Sequence, residues 1–358
     1  MGCAGTVGRT GPGTSPTGLS VWADCGQSPS SSSNTLLRGR SLDTMTTARL
    51  ASGSRRGPAW DWVRIRRVLR KSQFHFGVAV IVPTLIWYFV FMFHPIFQAF
   101  RIAMVDYKIL DPQNSPFIGL GNYQKLLLNP LFLVSIKNTF TWTLYIFLFM
   151  LPISMLVATT LSNVRRLRNL YQAVIFIPVV VSLVAVSLLF RMVMDPEVGQ
   201  LNRMLDFLGI PPFKWMSSSR SALAAISGIA VWKSMGFYIV LLTAGMLNIS
   251  EEVIDASRVD GANEWQRFWR VTIPLLSHTI ILVVVLLTVG SLQEFTLPYV
   301  MTEGGPGTAT YLYNLLIYEE AFTHIRFGTA TVAALFQFVF ILIASLIQIR
   351  VLRPNWSY

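Results

Sequence analysis

The chain is poor in charge. Only 13% of its 358 residues are Asp, Glu, Lys or Arg, roughly half the share of a typical soluble domain. With 53% apolar residues, it cannot cover itself with a water-compatible surface. Apolar runs recur along it, and each reaches the length of about 20 residues that a helix needs to cross a bilayer. The composition therefore predicts an all-α integral membrane protein and excludes a soluble globular domain.

Cysteine, histidine and nucleotide-binding motifs are equally scarce. The two cysteines, Cys3 and Cys25, lie in a leader with too few apolar residues to form a core, so no disulfide framework or thiol chemistry follows. The four histidines are scattered, and no His, Glu and Cys residues have metal-ligand spacing. A Walker loop needs a Gly-Lys pair, and the chain contains none. We expect no metal, no bound cofactor and no catalytic residue, which argues against a membrane enzyme.

The formal net charge of +12 is concentrated in the first 73 residues and in short loops. That placement is typical of cytoplasmic flanks of membrane spans. Nucleic-acid binding would need basic and aromatic residues interleaved on a soluble face, and no such segment is present, so we expect no nucleic-acid partner. Residues 1–73 are predicted to be a disordered basic tail. Residues 1–44 lack a secretory signal, and Met45 is an alternative start, so 1–44 are expected to be untranslated or dispensable.

Six apolar runs are predicted to cross the membrane within a domain of residues 74–352. Their bounds are about 76–97, 139–161, 170–190, 222–247, 275–297 and 328–349. Basic residues at Arg165, Arg166 and Arg168 place the second connection in the cytoplasm. Both termini, including the tail 353–358, are then cytoplasmic. The stretches predicted to lie outside are 98–138, 191–221 and 298–327.

Several tryptophans fall at or near the predicted span ends, where an indole ring can sit between lipid tails and head groups. They are Trp60, Trp62, Trp87, Trp142, Trp215 and Trp356. We expect these side chains to contact membrane lipid rather than a solute.

The cytoplasmic loop 248–274 is strongly patterned for a connection between two spans. Ser250 is a good N-cap for a first helix, which Gly261 can close as its C′ residue. Asn263 and Gln266 have the spacing of a capping box for a second helix. Its exposed faces are expected to mix both signs of charge, from Asp255, Asp260 and Glu264 and from Arg258, Arg267 and Arg270. The pattern predicts a docking element, with an amphipathic loop resting on lipid head groups as the alternative.

This loop resembles the signature of the membrane subunits of binding-protein-dependent ATP-driven importers. That signature is Glu-Ala-Ala, three residues, Gly, nine residues, then Ile-x-Leu-Pro. Here Asp255-Ala256-Ser257 precedes Gly261 by three residues, and nine more lead to Val271-Thr272-Ile273-Pro274. The spacing is kept, and each departure preserves charge or size.

Other segments are similar to the sugar-permease subgroup, which includes the maltose and glycerol-phosphate transport proteins. They are Val259 to Ala262, Trp265 to Phe268, Phe117 to Tyr123, Asp195-Pro196 and Thr302 to Pro306. The resemblance covers about residues 74–352. It implies the type I importer permease fold, a bacterial-type plasma (inner) membrane and a carbohydrate substrate.

The resemblance also implies partners and a coupling site. The partners are a second permease subunit, identical or different, two cytoplasmic ATPases that hold ATP and Mg, and an extracytoplasmic solute-binding protein. In the family, this loop is a coupling helix seated in a cleft of the ATPase. The coupling residues implied here are Glu251, Glu252, Asp255, Ala256, Ser257, Asp260, Gly261, Ala262, Arg267 and Pro274.

Lys233 and Glu294 are ionisable residues within or beside predicted spans, where a charge costs ~2.5–3.5 kcal/mol. With Trp232, Gln293 and Phe295, they are candidates for lining a solute path. The alternative is a buried ion pair or a snorkelling Lys. A rival function is an ion-gradient-driven secondary transporter that uses both charges. Inverted repeats or broken helices would favour it, and neither is evident in the sequence.

Overall fold

The computed structural model describes residues 72–164 and 166–352. All regular secondary structure in this part is helical, apart from one isolated bridge between Val105 and Phe117. Helix begins at Ser72, so the last two residues of the predicted tail are helical. Met45 with the rest of the leader, Arg165 and the tail 353–358 lie outside the described residues, and their predictions stay predictions.

Fourteen α-helices are present in the described residues. They are α1 (Ser72–Tyr88), α2 (His94–Ala103), α3 (Gly121–Leu127), α4 (Pro130–Asn163), α5 (Arg168–Val180), α6 (Leu183–Val193), α7 (Gln200–Phe207), α8 (Ala222–Leu247), α9 (Glu251–Val259), α10 (Glu264–Arg267), α11 (Ile273–Leu275), α12 (Ser277–Leu292), α13 (Tyr313–Tyr318) and α14 (Phe327–Leu352). Four π-helical turns extend them, at Phe89–Phe93, Phe268–Thr272, Pro298–Thr302 and Glu319–Thr323.

Four helical segments are long and apolar enough to cross a membrane. They are His75–Ala103, Pro130–Asn163, Ala222–Leu247 and Phe327–Leu352. Two bent pairs pass the same test together: α5 with α6, at 85°, and the segment Glu264–Leu275 with α12, at 73°. Length and composition thus give four spans, or up to six if each bent pair is one span. The predicted all-α membrane class is confirmed.

Two predicted spans differ from straight helices. The third is broken at Val181 and Ser182, which have extended backbone. Pro178 precedes a run of valines there, and β-branched residues have weak helix preference. The fifth ends as a helix at Leu292, short of the predicted residue 297. Broken helices are therefore present, although the sequence pattern did not show them.

The core lies where α4, α8 and α12 pack together. Buried side chains from these helices include Ile146, Leu242 and Leu287. Trp142 is 1% exposed in this core, so its predicted lipid contact is wrong: it lies within α4, on the face toward α8. Gly236 lets α8 approach α5, because a Cβ there would lie 2.3 Å from the Ile175 carbonyl oxygen.

Candidate functional site

The loop between α8 and α12 begins with a helix that is capped at both ends. Ser250 Oγ accepts a hydrogen bond from the Glu252 backbone N–H at 3.3 Å. Glu251 and Glu252 lie in the first turn, near the positive end of the helix dipole. At the other end, Gly261 has a φ of 80°, a left-handed conformation that suits a residue without Cβ. The predicted N-cap and closing glycine are confirmed.

Two further hydrogen bonds hold the turn after α9. The Gly261 N–H donates to the Arg258 carbonyl at 3.0 Å, and the Ala262 N–H donates to the Ser257 carbonyl at 3.0 Å. Together they form a Schellman motif, which satisfies carbonyl groups left over at the helix end. The chain therefore leaves α9 in one defined direction.

A second capped helix follows directly. Asn263 Oδ1 accepts from the Gln266 N–H at 2.8 Å, and Gln266 Oε1 accepts from the Asn263 N–H at 3.1 Å. This is the predicted capping box. Helical chain then continues through the π-helical turn Phe268–Thr272 and α11, up to the 73° bend into α12. This 73° bend, which we call the corner, joins the loop to the segment predicted as the fifth span.

The candidate coupling residues differ in exposure. Exposed ones are Glu251, Glu252, Asp255, Ala256, Asp260 and Gly261, whereas Ser257 is buried and Ala262, Arg267 and Pro274 are partly buried. The prediction of an exposed Arg267 is wrong, because its side chain is only 15% exposed and lies 3.5 Å from Glu264 Oε1. Most of the Arg267 side chain is therefore shielded from solvent, while the Glu264 carboxylate that it pairs with is 94% exposed.

Asp255 is fixed in position yet accessible. Its Oδ1 lies 2.6 Å from a guanidinium nitrogen of Arg258, and its side chain is 65% exposed. An exposed pair one helical turn apart adds little stability. The carboxylate is therefore available to a partner.

An aromatic cluster lies on the second helix of the loop. The rings of Trp265, Phe268 and Trp269 lie 5.3 to 6.4 Å apart. Trp265 is 70% exposed and Trp269 is 51% exposed. Two exposed indoles beside a charged helix are typical of a surface that another protein covers.

Lys233 caps the broken third span. Helix α5 ends at Val180, so the Val179 carbonyl lacks a donor from its own helix, and Lys233 Nζ donates to it at 3.0 Å. Lys233 is also close enough to Glu294 to interact with its charge. Glu294 Oε1 instead accepts from the Leu297 N–H at 3.1 Å. The Lys233 ammonium group therefore donates to the backbone at the break, and Lys233 and Glu294 do not form a direct ion pair.

The end of α12 is capped in a similar way. Gln337 Nε2, on α14, donates to the Leu292 carbonyl at 2.7 Å. Gln293, the next residue, is exposed, and the Glu294 carbonyl accepts from Asn314 Nδ2 at 3.5 Å. Polar side chains from neighbouring elements thus satisfy the backbone at both interruptions, as a membrane interior requires.

The five solute-path candidates fall into two groups. Trp232 is 42% exposed and packs edge-to-face on Phe190, with ring centroids 5.4 Å apart. Phe295 instead stacks on Tyr299 at 4.9 Å. Lys233 is near enough to Glu294 to interact with its charge. The structure thus brings the two charges near one another, whereas Trp232 and Phe295 have different aromatic partners.

Buried polar residues connect the span ends that are predicted to lie outside. Glu320 is 1% exposed, and its Oε1 accepts from Asn129 Nδ2 at 3.0 Å, where Asn129 is the N-cap of α4. Asn122 Nδ2 donates to two carbonyls at the end of α2, at 3.0 and 2.9 Å. The sequence motif from Phe117 to Tyr123 signalled Asn122. Nothing signalled Glu320, because a loop glutamate is ordinarily exposed.

Two outer turns are also well defined. Backbone N–H groups of Val198 and Glu197 donate to Asp195 Oδ1, at 3.0 and 2.9 Å, and these bonds lower the pKa of the Asp195 carboxyl below its ordinary value. Asp195 therefore stays ionised at neutral pH. In the glycine-rich segment 304–307, Gly304 and Gly307 have positive φ, a conformation that suits residues without Cβ.

Comparison with known proteins is consistent with this architecture. Residues 150–356 match the family described as binding-protein-dependent transport system inner membrane component. The match spans more than half of the chain. The chain therefore belongs to this family of multi-pass inner membrane transport components.

Relatives and a solved structure extend the match to most of the chain. The probable ABC transporter permease YurN of Bacillus subtilis is 28% identical, over 77% of this chain and 95% of YurN. The arabinooligosaccharides permease AraP of the same organism is 27% identical, over 75% and 85%. The multiple sugar-binding transport permease MsmF of Streptococcus mutans is 29% identical, over 80% and 97%.

The fold is similar to a chain of a bacterial ABC transporter that imports the acidic polysaccharide alginate. The TM-score is 0.70, at 24% identity, over 83% of this chain and 99% of the other. This likeness supports the permease fold. The family, the relatives and the fold all agree with the resemblance that the loop motif carries.

Proposed function

We propose that this chain is the permease subunit of an ATP-driven importer for a carbohydrate, with α9 as the coupling helix. The observation that carries the coupling role is the geometry of loop 248–274. A capped helix with exposed acidic groups, closed by a Schellman turn, stands beside two exposed indoles. A rigid, exposed and charged helix can seat in a cleft of a partner ATPase.

The carbohydrate class is supported by relatives whose names specify sugars, among them AraP, MsmF and the trehalose/maltose permease MalF of Thermococcus litoralis. A related solved transporter was crystallised with a periplasmic protein that holds an alginate pentasaccharide. We infer the same kind of assembly here: a second permease, two cytoplasmic ATPases that hold ATP and Mg, and an extracytoplasmic solute-binding protein. This chain itself supplies the path and hydrolyses no ATP.

The solute path is proposed to pass the two interrupted spans. Polar backbone and side chains concentrate there, at Lys233 and from Gln293 to Phe295, within otherwise apolar helices. Interrupted spans are also a feature of ion-driven transporters. Family membership favours ATP, and Lys233 is already occupied by the Val179 carbonyl rather than free to pair with a coupling ion.

The coupling role is tested by reversing one exposed charge. In vesicles that contain the permeases, the ATPases and the binding protein, Asp255→Arg should lower solute-stimulated ATP hydrolysis and uptake about tenfold or more. Asp206→Arg, on the predicted outer helix α7, is the matched control and should change neither. Normal coupling in Asp255→Arg, at equal insertion, contradicts the proposal. Uptake that persists without ATP and collapses with the ion gradient would support the rival function.

A further inference from the structure

A continuous row of aromatic rings lies among the loops predicted to be outside the membrane. We name it the outer aromatic row. Phe295, Tyr299 and Tyr318 form a compact group at one end, with Phe295 and Tyr318 also 5.0 Å apart, and Phe322, Phe327 and Tyr107 follow in turn. Successive ring centroids are 4.9, 5.0, 5.2, 6.2 and 6.0 Å apart. Four separate elements contribute these residues, so the row is a product of the tertiary fold.

The row is anchored in the core at one end, and two of its six rings are exposed. Phe295 is partly buried against the outer core cluster. Phe322 is 67% exposed and Tyr299 is 38% exposed. Because Phe295 follows Glu294 directly, the inner end of the row adjoins the interrupted fifth span. The rings thus form a surface that leads toward the proposed solute path.

The other end of the row opens on a polar cavity. Tyr107 and Phe327 line a cavity of about 720 Å³ together with Asp106, Lys125 and Arg326. The volume lies within the range of small-molecule sites. The cavity therefore places hydrogen-bonding groups beside aromatic faces.

This combination fits carbohydrate better than other small solutes. The face of an aromatic ring is electronegative, and the C–H groups on one side of a sugar ring carry partial positive charge. Sugar hydroxyls need donors and acceptors at their edges, which charged side chains supply. The hydroxyls of Tyr299 and Tyr318, 3.3 Å apart, add such groups within the row.

We propose that the outer aromatic row and its polar cavity bind several consecutive sugar rings of an oligosaccharide on its way to the interrupted spans. This inference rests on the proposed carbohydrate function and deepens it, since it assigns an oligosaccharide rather than a monosaccharide. A lipid-anchoring belt needs only separate rings with polar edges at the head groups. It does not require a contiguous row ending in a cavity lined by paired charges.

The test compares uptake of sugar chains of different length. Vesicles with the complete transporter are given arabino-, malto- and alginate oligosaccharides from disaccharide to hexasaccharide, and the series that the parent takes up fastest is used. Phe322→Ala and Tyr299→Ala should lower the uptake of hexasaccharide about two- to tenfold and leave disaccharide uptake nearly unchanged. Phe322→Trp should retain the parental length profile.

Phe207→Ala is the matched control, because Phe207 is 91% exposed on the predicted outer helix α7. It should leave every uptake rate at the parental value. An equal loss for all chain lengths in Phe322→Ala overturns the proposal. If assembly with the second permease is also lost, the row is a subunit contact. If insertion changes instead, the row contacts lipid.

The experiment gives different results if the outer aromatic row does not bind oligosaccharide and if the chain does not transport carbohydrate. If the parent transports a carbohydrate and the variants keep its length profile, only the oligosaccharide row is wrong. If the parent takes up no carbohydrate of any series while ATP hydrolysis responds to another solute, the carbohydrate function is wrong. The proposed binding of oligosaccharide by the outer aromatic row is then wrong as well.

Discussion

Two polar side chains within the apolar bundle donate hydrogen bonds to backbone carbonyls where helices are interrupted. Lys233 and Gln337 each donate to a carbonyl at the end of an interrupted helix. A membrane interior offers no water to replace such donors, so each is needed wherever a helix stops inside the bundle. This accounts for a lysine in the fourth span before any contact with solute is considered.

Removing the Lys233 donor should destabilise the broken third span. We expect Lys233→Met to lower the stability of the inserted protein by about 1–3 kcal/mol, because the Val179 carbonyl loses its donor. Lys233→Arg, which keeps a donor and a charge, should lose less. Thermal unfolding in lipid nanodiscs measures both. Equal stability of Lys233→Met and the parent would show that another group satisfies the carbonyl.

Gly261 allows backbone strain to be separated from docking. A Cβ at this position meets no atom of the chain within 4 Å, so the cost within the subunit is only that of the positive φ, about 1 kcal/mol for Ala. Asn tolerates this conformation, so Gly261→Asn should keep nearly full stability. If Gly261→Asp reduces coupling far more than Gly261→Ala at equal stability, the defect lies in docking. ATPase stimulation and thermal unfolding, measured together, decide it.

At the scale of helices, sequence reasoning located spans better than bends. Apolar runs of sufficient length predicted the apolar segments, and capping residues predicted both helices of the loop. The break at Val181 and Ser182 was missed, because an apolar run looks the same whether it is straight or bent. The extended backbone there is maintained by Lys233 from another helix, and local propensity carries no information about such a donor.

The close contact between α8 and α5 depends on a small residue, Gly236. Gly236→Ala should destabilise the protein by about 1–3 kcal/mol, because the new Cβ would meet the Ile175 carbonyl at 2.3 Å and force α5 away from α8. Gly228→Ala is the matched control on the same helix, where a Cβ meets nothing within 4 Å. It should be neutral or slightly stabilising. Indistinguishable unfolding temperatures for the two variants would contradict the close approach.

Across the whole molecule, the predicted arrangement is six spans with both termini in the cytoplasm. Single cysteines test it after Cys3 and Cys25 are replaced. A membrane-impermeant maleimide should label Glu303→Cys in intact cells, and Asp255→Cys only after permeabilisation. Both side chains are exposed in this subunit, so in cells that lack the partner ATPases and binding protein their access is limited by the membrane alone. Labelling of Asp255→Cys in intact cells would show that the true orientation is the reverse of the predicted one.

The loop site was more predictable than the solute path. Capping and motif spacing are local, so Ser250, Gly261 and Asn263 could be assigned from sequence. The path depends on which faces of separate helices meet, and Trp232 and Phe295 proved to belong to different aromatic contacts. The exposure of Arg267 was predicted wrongly for a related reason, since burial depends on tertiary packing rather than on local sequence.

The corner between the loop and the fifth span has a mechanical consequence. Helical chain from Glu264 to Leu275 forms one arm of the corner, and α12 forms the other arm, at 73° to the first. A lever with arms at this angle changes the direction of a displacement. If the loop is pushed along the membrane normal, we expect α12 to move largely sideways, with its far end, at Gln293, travelling the greatest distance.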